Sequence, residues 1–336
     1  MTSAPLIAPP SSGRRALTAV GSFLLRRGPL LLFALLIVAA ALGSPIVLSV
    51  SNVNASLVQA APVAVVAFGF AVVVMGGGDD AVAGGVDLSI PGTAALGTVI
   101  VSVLLTNQGW TLLPAFAVAL LASLFVGAIN AMLITLIGLT PILATLATYV
   151  SAIGVVRVIG QNRRVDVTDP SILALRDGDL FGIPNVVVVL IVIAAGMYFL
   201  MHRTAFGRRV QAVGGSRDAA LTSGIRVTRL LGSTYVIAAA TGALAAVLLV
   251  ARGSGSSPGI DERLLVDMVL AAYIGAAFSP RSVVTIPGAL LGAVLVAFMS
   301  NALILNRIAN SWIDGYKGAL ILIVVATAAL QNRGKR

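Results

Sequence analysis

The run PLLLFALLIVAAALGSPIVLSV, residues 29–50, contains no charged residue. That settles the solvent this chain folds in. A bilayer's hydrocarbon core is ~30 Å thick and takes ~20 apolar residues of helix to cross. Within it every backbone N–H and C=O must be satisfied inside the protein, which leaves helices or closed barrels. Further apolar windows lie near 59–76, 85–105, 112–137, 141–160, 184–202, 230–251, 263–279, 283–303 and 313–330, so about ten transmembrane helices are expected. The alternation of a membrane barrel is absent. The predicted class is therefore all-α, a polytopic membrane helical bundle. Composition agrees: 58% of residues are hydrophobic and 10% charged, where soluble domains carry about 25% charge. Arginines ahead of the first run imitate a secretory leader, but the run exceeds the ~7–15 residues of a leader's apolar region. A retained first span is expected, with 1–28 as an N-terminal tail and 29–336 as one membrane domain.

The net charge of +10 has its source in loop bias, and no nucleic-acid partner follows from it. An even span count puts both termini on one side. If that side is the cytoplasm, it receives Arg14, Arg15, Arg26 and Arg27, the C-terminal basic residues, and the six arginines of 203–229. The opposite loops carry fewer positive residues, and acids accompany them. Cytoplasmic N and C termini are therefore predicted. The chain has no cysteine and one histidine, His202, which excludes a disulfide framework, a thiolate site and a histidine-built metal centre. No nucleophile, base and orienting acid can be assembled from its residues, and no GxxxxGK[ST] phosphate loop is present. No catalytic residue, metal or cofactor is expected on this chain.

One polar stretch interrupts the apolar windows: RTAFGRRVQAVGGSRDAALTSGIRVTR, residues 203–229. Inside it GGSRDAALTSG reads as a miniature helix. Ser216 suits the N-cap, Asp218 the positive end of the helix dipole, and Gly224 the terminus. About two turns are unstable alone in water, so something must hold them. A partner protein is one candidate. Anionic membrane lipid met by Arg208, Arg209, Arg226 and Arg229 is the other.

Two apolar segments begin alike, SIPGTAALG from Ser89 and TIPGALLG from Thr285. Paired Pro/Gly interruptions in two halves point toward a transport route, although similarity among Gly- and Ala-rich spans also arises by chance. Small residues at Gly288 and Gly292, and at Gly127 and Ala131, suit close helix packing.

The stretch GRRVQAVGGSRDAALTSGIRV is similar to the cytoplasmic loop of permease subunits in bacterial ATP-binding cassette importers of the ribose and monosaccharide type. GGVDLSIPG (84–92), GAINAMLI (127–134), TPILATLATYVSAIGVVRVI (140–159) and IPGALLGAVLVAFMSNALIL near the C-terminus resemble other stretches of that family. Departures lie in AAYIGAAFSPRSVVTIPG (271–288) and in the acidic pair of GGGDDAVAGG (76–85).

The resemblance implies that 203–229 carries a coupling helix seated in a groove of separate ATPase subunits, which would hold the ATP and Mg. Arg208, Gly214, Gly215, Ser216, Asp218, Ala219, Ala220, Leu221 and Gly224 are its expected contact and shaping residues. It also implies a periplasmic or lipid-anchored solute-binding protein, a second permease copy or a paralogue, and residence in the bacterial cytoplasmic (inner) membrane. Ala220→Asp is then expected to uncouple ATP hydrolysis from transport without disturbing insertion.

Candidates for the translocation route are Asp87, Asn130, Thr145, Thr148 and Asn301. Each also has a structural alternative. Asp87 precedes a helix start, where a carboxylate caps backbone donors. The asparagines can bond between helices, and threonine hydroxyls return to their own helix. The rival function is an ion-coupled secondary transporter of a small polar solute. Such a machine places ionisable groups at mid-membrane, whereas the acids here crowd span ends and loops.

Overall fold

The computed structural model describes residues 34–35, 37–39, 41–78, 85–279, 283–309 and 312–322. The 1–28 tail, Asp79 and Asp80, Arg281 and the C-terminal basic cluster lie outside them. A 3-10 turn, Pro45–Leu48, leads into α1, Val50–Gly77. Helices α2 (Ile90–Gln108), α3 (Leu112–Thr135) and α4 (Pro141–Gly160) follow. A ledge contains α5 (Pro170–Asp177), and α6 (Asn185–Tyr198) ends in a π turn, Phe199–Arg203. Then come α7 (Ala205–Gly215), the short α8 (Arg217–Thr222), α9 (Val227–Gly253), α10 (Ile260–Ala276), α11 (Ile286–Leu305) and a helix over 312–322. Strands are confined to two antiparallel pairs of two residues each: β1 (Val165–Asp166) with β4 (Gly255–Ser256), and β2 (Asp179–Leu180) with β3 (Ile183–Pro184).

Seven described helices are long and apolar enough to cross a membrane: α1, α2, α3, α4, α6 with its π turn, α9 and α11. The chain is a multi-pass helical bundle. Helices α1, α2 and α9 are buried by the others, whereas α3, α4 and α6 turn large apolar side chains such as Leu121, Phe125, Val150 and Val192 outward. An apolar exterior is what lipid requires.

Some expected boundaries move. The first window, 29–50, is broken before its end by the 3-10 turn, and α1 starts at Val50, nine residues before the expected 59. Pro45 sits in the turn because it lacks a backbone donor, and Ser49 caps α1 by accepting from Asn52 N at 3.3 Å. The third window starts later than expected. Residues 85–89 form neither helix nor strand, and α2 begins only at Ile90.

That irregular piece lies inside the bundle. Gly85, Val86, Asp87 and Ser89 are buried, and Gly85 is pressed against the carbonyl of Val73 on α1. The first residues of α2 meet Gly242, halfway along α9. Irregular backbone at such depth is tolerated only where protein surrounds it.

Small residues set the helix crossings. Gly292 lies on the carbonyl of Ala271, and Gly275 and Gly288 face each other across the α10–α11 contact. Gly127 packs on Ala239 and Tyr235, and Ala131 on Gly232, where α3 crosses α9. Lipid supplies no hydrophobic drive between helices, so this close packing is what holds the bundle together.

Candidate functional site

Three polar regions stand out from the apolar bundle. The first is the α7–α8 platform. α6 unwinds into its π turn, Thr204 accepts from Gly207 N at 3.2 Å, and the chain turns sharply into α7. Gly207, Val210 and Val213 form the buried face of α7, and Gly214 lies on the carbonyl of Met75 at the end of α1. A side chain at Gly214 would separate the platform from the bundle, whereas Gly215 faces open space. The two glycines therefore do different work.

Ser216 then caps α8, accepting from Ala219 N at 3.3 Å, and Asp218 occupies its first turn. Gly224, with φ of +75°, ends it. A left-handed residue closes a helix at little cost when it is glycine.

What holds this short helix is its own chain. Ala220 is buried in a cluster with Val213, Val227 and Leu231, with Ile225 and Leu230 against its edge. Ala220 is therefore a packing residue of α8, and Ala220→Asp would place a carboxylate in this cluster. The outward face carries Ala219 and Leu221, the latter 57% exposed. Arg203, Arg208, Arg209, Arg217, Arg226 and Arg229 are all exposed around it.

The second region is a buried hydrogen-bond chain at the start of α2. Thr148 Oγ1 lies 2.7 Å from Asn130 Oδ1, Asn130 Nδ2 donates to Ser89 Oγ at 2.7 Å, and Ser89 Oγ donates to Asp87 Oδ1 at 2.6 Å. Ser89 N reaches the same carboxylate oxygen at 2.8 Å. Thr145 accepts from Leu88 N at 3.1 Å while donating to Pro141 O at 2.8 Å. Four of the five expected route residues, Asp87, Asn130, Thr145 and Thr148, thus meet in one place, and Asp87 and Thr145 accept from backbone N–H groups of the 85–89 segment. Such chains polarise one another in a low dielectric. Asp87 Oδ2 has no partner among the described residues.

Asn301 is elsewhere. Its amide donates to Asn52 Oδ1 at 2.6 Å and to Ser56 Oγ at 3.1 Å, tying α11 to α1. Ser89, Asn52 and Ser56 are polar partners that sequence reasoning passed over. Ser89 stood within the SIPG stretch itself, directly ahead of a helix-starting proline. Nothing in their spacing signalled that Asn52 and Asn301 would meet.

The third region lies at the end of the bundle remote from α7–α8, around the segment that joins α9 to α10. Lys317 Nζ meets Asp267 Oδ1 at 2.7 Å, with side chains 8% and 15% exposed. The pair faces a cavity of about 500 Å³ that Arg252, Glu262, Arg263 and Asp314 also line. Reading these charges as loop residues at span ends missed that the 312–322 helix carries Lys317 inward. Their signal was an acid and a base within each of two apolar windows, Arg263 and Asp267 in 263–279 and Asp314 and Lys317 in 313–330. Nearby, Tyr149 Oη on α4 donates to Asp261 Oδ2 of α10 at 2.6 Å. On the surface ledge the Arg176 guanidinium holds the carboxyl of Asp177 below its ordinary range through a hydrogen bond. Among the described residues no group of His, Asp and Glu could hold a metal ion.

The arrangement offers an external helix packed on the bundle, a lipid-facing exterior and polar cavities at one end. Comparison with known proteins gives the same kind of molecule. The chain is 29% identical over 300 residues, 89% of its length and 91% of the other's, to the ribose import permease protein RbsC of Bacillus subtilis (strain 168). It is 30% identical over 250 residues, 73% of its length and 75% of the other's, to the autoinducer 2 import system permease protein LsrD of Salmonella paratyphi B. With the xylose transport system permease protein XylH of Escherichia coli (strain K12) it shares 33% identity over 147 residues, 44% of its length and 37% of the other's. No solved structure matches it. Residues 52–325, from the first turn of α1 to beyond the described part of the last helix, match the family described as the branched-chain amino acid transport system / permease component, and the chain belongs to that family.

Proposed function

We propose that this chain is the membrane-spanning permease of an ATP-driven ABC importer, that it forms the route for a monosaccharide or sugar-like solute, and that α8 receives the motion of a separate ATPase. The observation that carries the reading is mechanical. α8 exposes Ala219 and Leu221 on one side, while Ala220 seats its other side on Val213 of α7 and on Val227 and Leu231 of α9, and Gly214 of α7 rests on α1. A push on that face is transmitted to two central helices, because packed elements move as units.

In this reading the bundle has ten spans with both termini in the cytoplasm, in the bacterial inner membrane. Two permeases, alike or paralogous, enclose the route. ATP and Mg reside on the partner ATPase subunits, and a periplasmic or lipid-anchored binding protein delivers the solute. Relatives that import ribose, xylose and autoinducer 2 support the substrate class.

The test is uptake by the intact complex, isolated from its native membrane and reconstituted, with and without internal ATP. ATP-dependent uptake of a sugar is expected. In this cysteine-free chain, Leu221→Cys should cross-link to a co-purifying ATPase, and Leu221→Asp should cut uptake at least tenfold with the fold intact. An active preparation in which Leu221→Cys captures no such subunit refutes the coupling role.

A specific observation favours one second reading. The buried Lys317–Asp267 pair is the kind of intramembrane ionisable couple that ion-driven transporters use. Uptake that persists without ATP and collapses with an ionophore would select it.

A further inference from the structure

A cavity of about 120 Å³ opens between α2, α4 and the strap that leads into α10, at the end remote from α7–α8. Its wall is built with unusual firmness for a loop. Ser256 lies in β4, paired with Val165 of β1, and Arg164 donates to Ser257 Oγ at 3.0 Å and to Gly253 O at 2.6 Å. Ser256 is 5% exposed, yet its hydroxyl finds no hydrogen-bond partner among the described residues. Buried hydroxyls are almost always bonded, so an orphan one calls for an explanation.

Around Ser256 the cavity collects Arg157, Arg163, Asp261 and Glu262. No hydrogen bond or ion pair to another described side chain ties Arg157, Arg163 or Glu262, while Asp261 is placed by Tyr149. Two cations and two anions cancel, so the lining selects neither an anion nor a cation. It offers donors and acceptors together. Val99, Val156 and Ile260 supply the aliphatic part of the wall. A neutral molecule with several hydroxyls and C–H faces fits this inventory, since each hydroxyl both donates and accepts.

Resting on the proposed import function, we infer that this cavity is an entry subsite for a neutral polyhydroxylated solute, with the Ser256 hydroxyl and the Arg157 guanidinium as direct contacts and Tyr149 positioning Asp261. A zwitterion such as an amino acid would also meet both charges and can bond to the Ser256 hydroxyl, so an amino acid is the competitor that the test has to separate from a polyol.

The absence of cysteine allows a clean test on the reconstituted complex. Ile153→Cys, on the cavity wall, is labelled with a hydrophilic thiol reagent in the presence of D-ribose, D-xylose, the aldohexoses, the pentitols or L-leucine, and ATP-driven uptake of the same compounds is measured in parallel. At least one polyhydroxylated compound should slow labelling fivefold or more, and L-leucine should not. Adding Ser256→Ala or Arg157→Ala should remove that protection while labelling without solute stays unchanged, which a loosened fold would not allow.

Uptake of a sugar that gives no protection overturns the subsite and leaves the import function standing. Protection by L-leucine alone overturns the assignment to polyols. If nothing on the panel is taken up and nothing protects, both readings fall.

Discussion

The tetrapeptides Ser89-Ile90-Pro91-Gly92 and Thr285-Ile286-Pro287-Gly288 start two helices of one bundle, and they differ in how each start is made. At α11 the local sequence suffices. Thr285 Oγ1 accepts from Gly288 N at 3.1 Å, and Gly288 packs on the backbone of α10, where a Cβ would stand 2.5 Å from Gly275 O. At α2 the serine caps nothing. Its hydroxyl turns to Asp87 and Asn130, and the residues before it run through the interior without helix or strand. A Cβ at Gly92 would meet the Tyr149 ring first, at 3.0 Å, with the Tyr149 carbonyl at 3.4 Å and the Ala152 Cβ at 3.5 Å. The same letters make a self-contained helix start in one place and a link in a tertiary hydrogen-bond chain in the other.

The comparison can be broken most forcefully at the glycines. Gly292→Leu, with Gly288→Val as its companion, is expected to prevent folding or to lower the unfolding midpoint in detergent drastically, since the obstacle is the backbone of Ala271 or Gly275. Overpacking of this kind costs about 1–3 kcal/mol or more. Gly92→Ala should cost far less, because a tyrosine ring can shift. Equal losses at Gly92 and Gly288 would erase the distinction.

Asp87→Ala comes next. It leaves both Ser89 N–H and Ser89 O–H without an acceptor in the interior, at about 1–3 kcal/mol for each unsatisfied group. Thermal unfolding of the purified permease measures it, and a change within error would show that the 85–89 segment does not depend on that carboxylate. Thr285→Ala should cost about 1 kcal/mol, the ordinary worth of a cap. Ser89→Ala removes no cap, and its cost should instead disappear in the Asn130→Ala background, which a double-mutant cycle reads directly. The smallest effect is expected for Asn301→Ala, near ~0.6 kcal/mol as for interhelical bonds in membranes. A loss of several kcal/mol there would mean that Asn301 holds more than Asn52 and Ser56.

Much of this was legible in the residues. The α7–α8 region could be read from Ser216, Asp218 and Gly224 because caps and left-handed closures act over three or four residues of local backbone. The Gly288–Gly292 contact was legible for a similar reason: one helical turn brings both glycines onto one face. Ala220 was not legible as a buried residue. It lies in the same short helix as the exposed Ala219 and Leu221, and only the approach of Val213 and Val227 distinguishes it. The irregular piece before α2 was hidden because Val86 and Leu88 suit a membrane helix as well as a buried loop. Lys317 and Asp267, fifty residues apart in sequence, looked like separate span-end charges.

The chain alone determined that it would be an all-helical membrane bundle, because hydrocarbon leaves backbone groups no partners but their own, and it determined where its short helix caps and closes, because those bonds are local. Tertiary structure decided which polar residues meet, which face of α8 stays free, and that α2 begins deep inside the bundle. Those outcomes depend on distances between elements far apart in sequence, and side-chain chemistry specifies such distances only after the helices have packed.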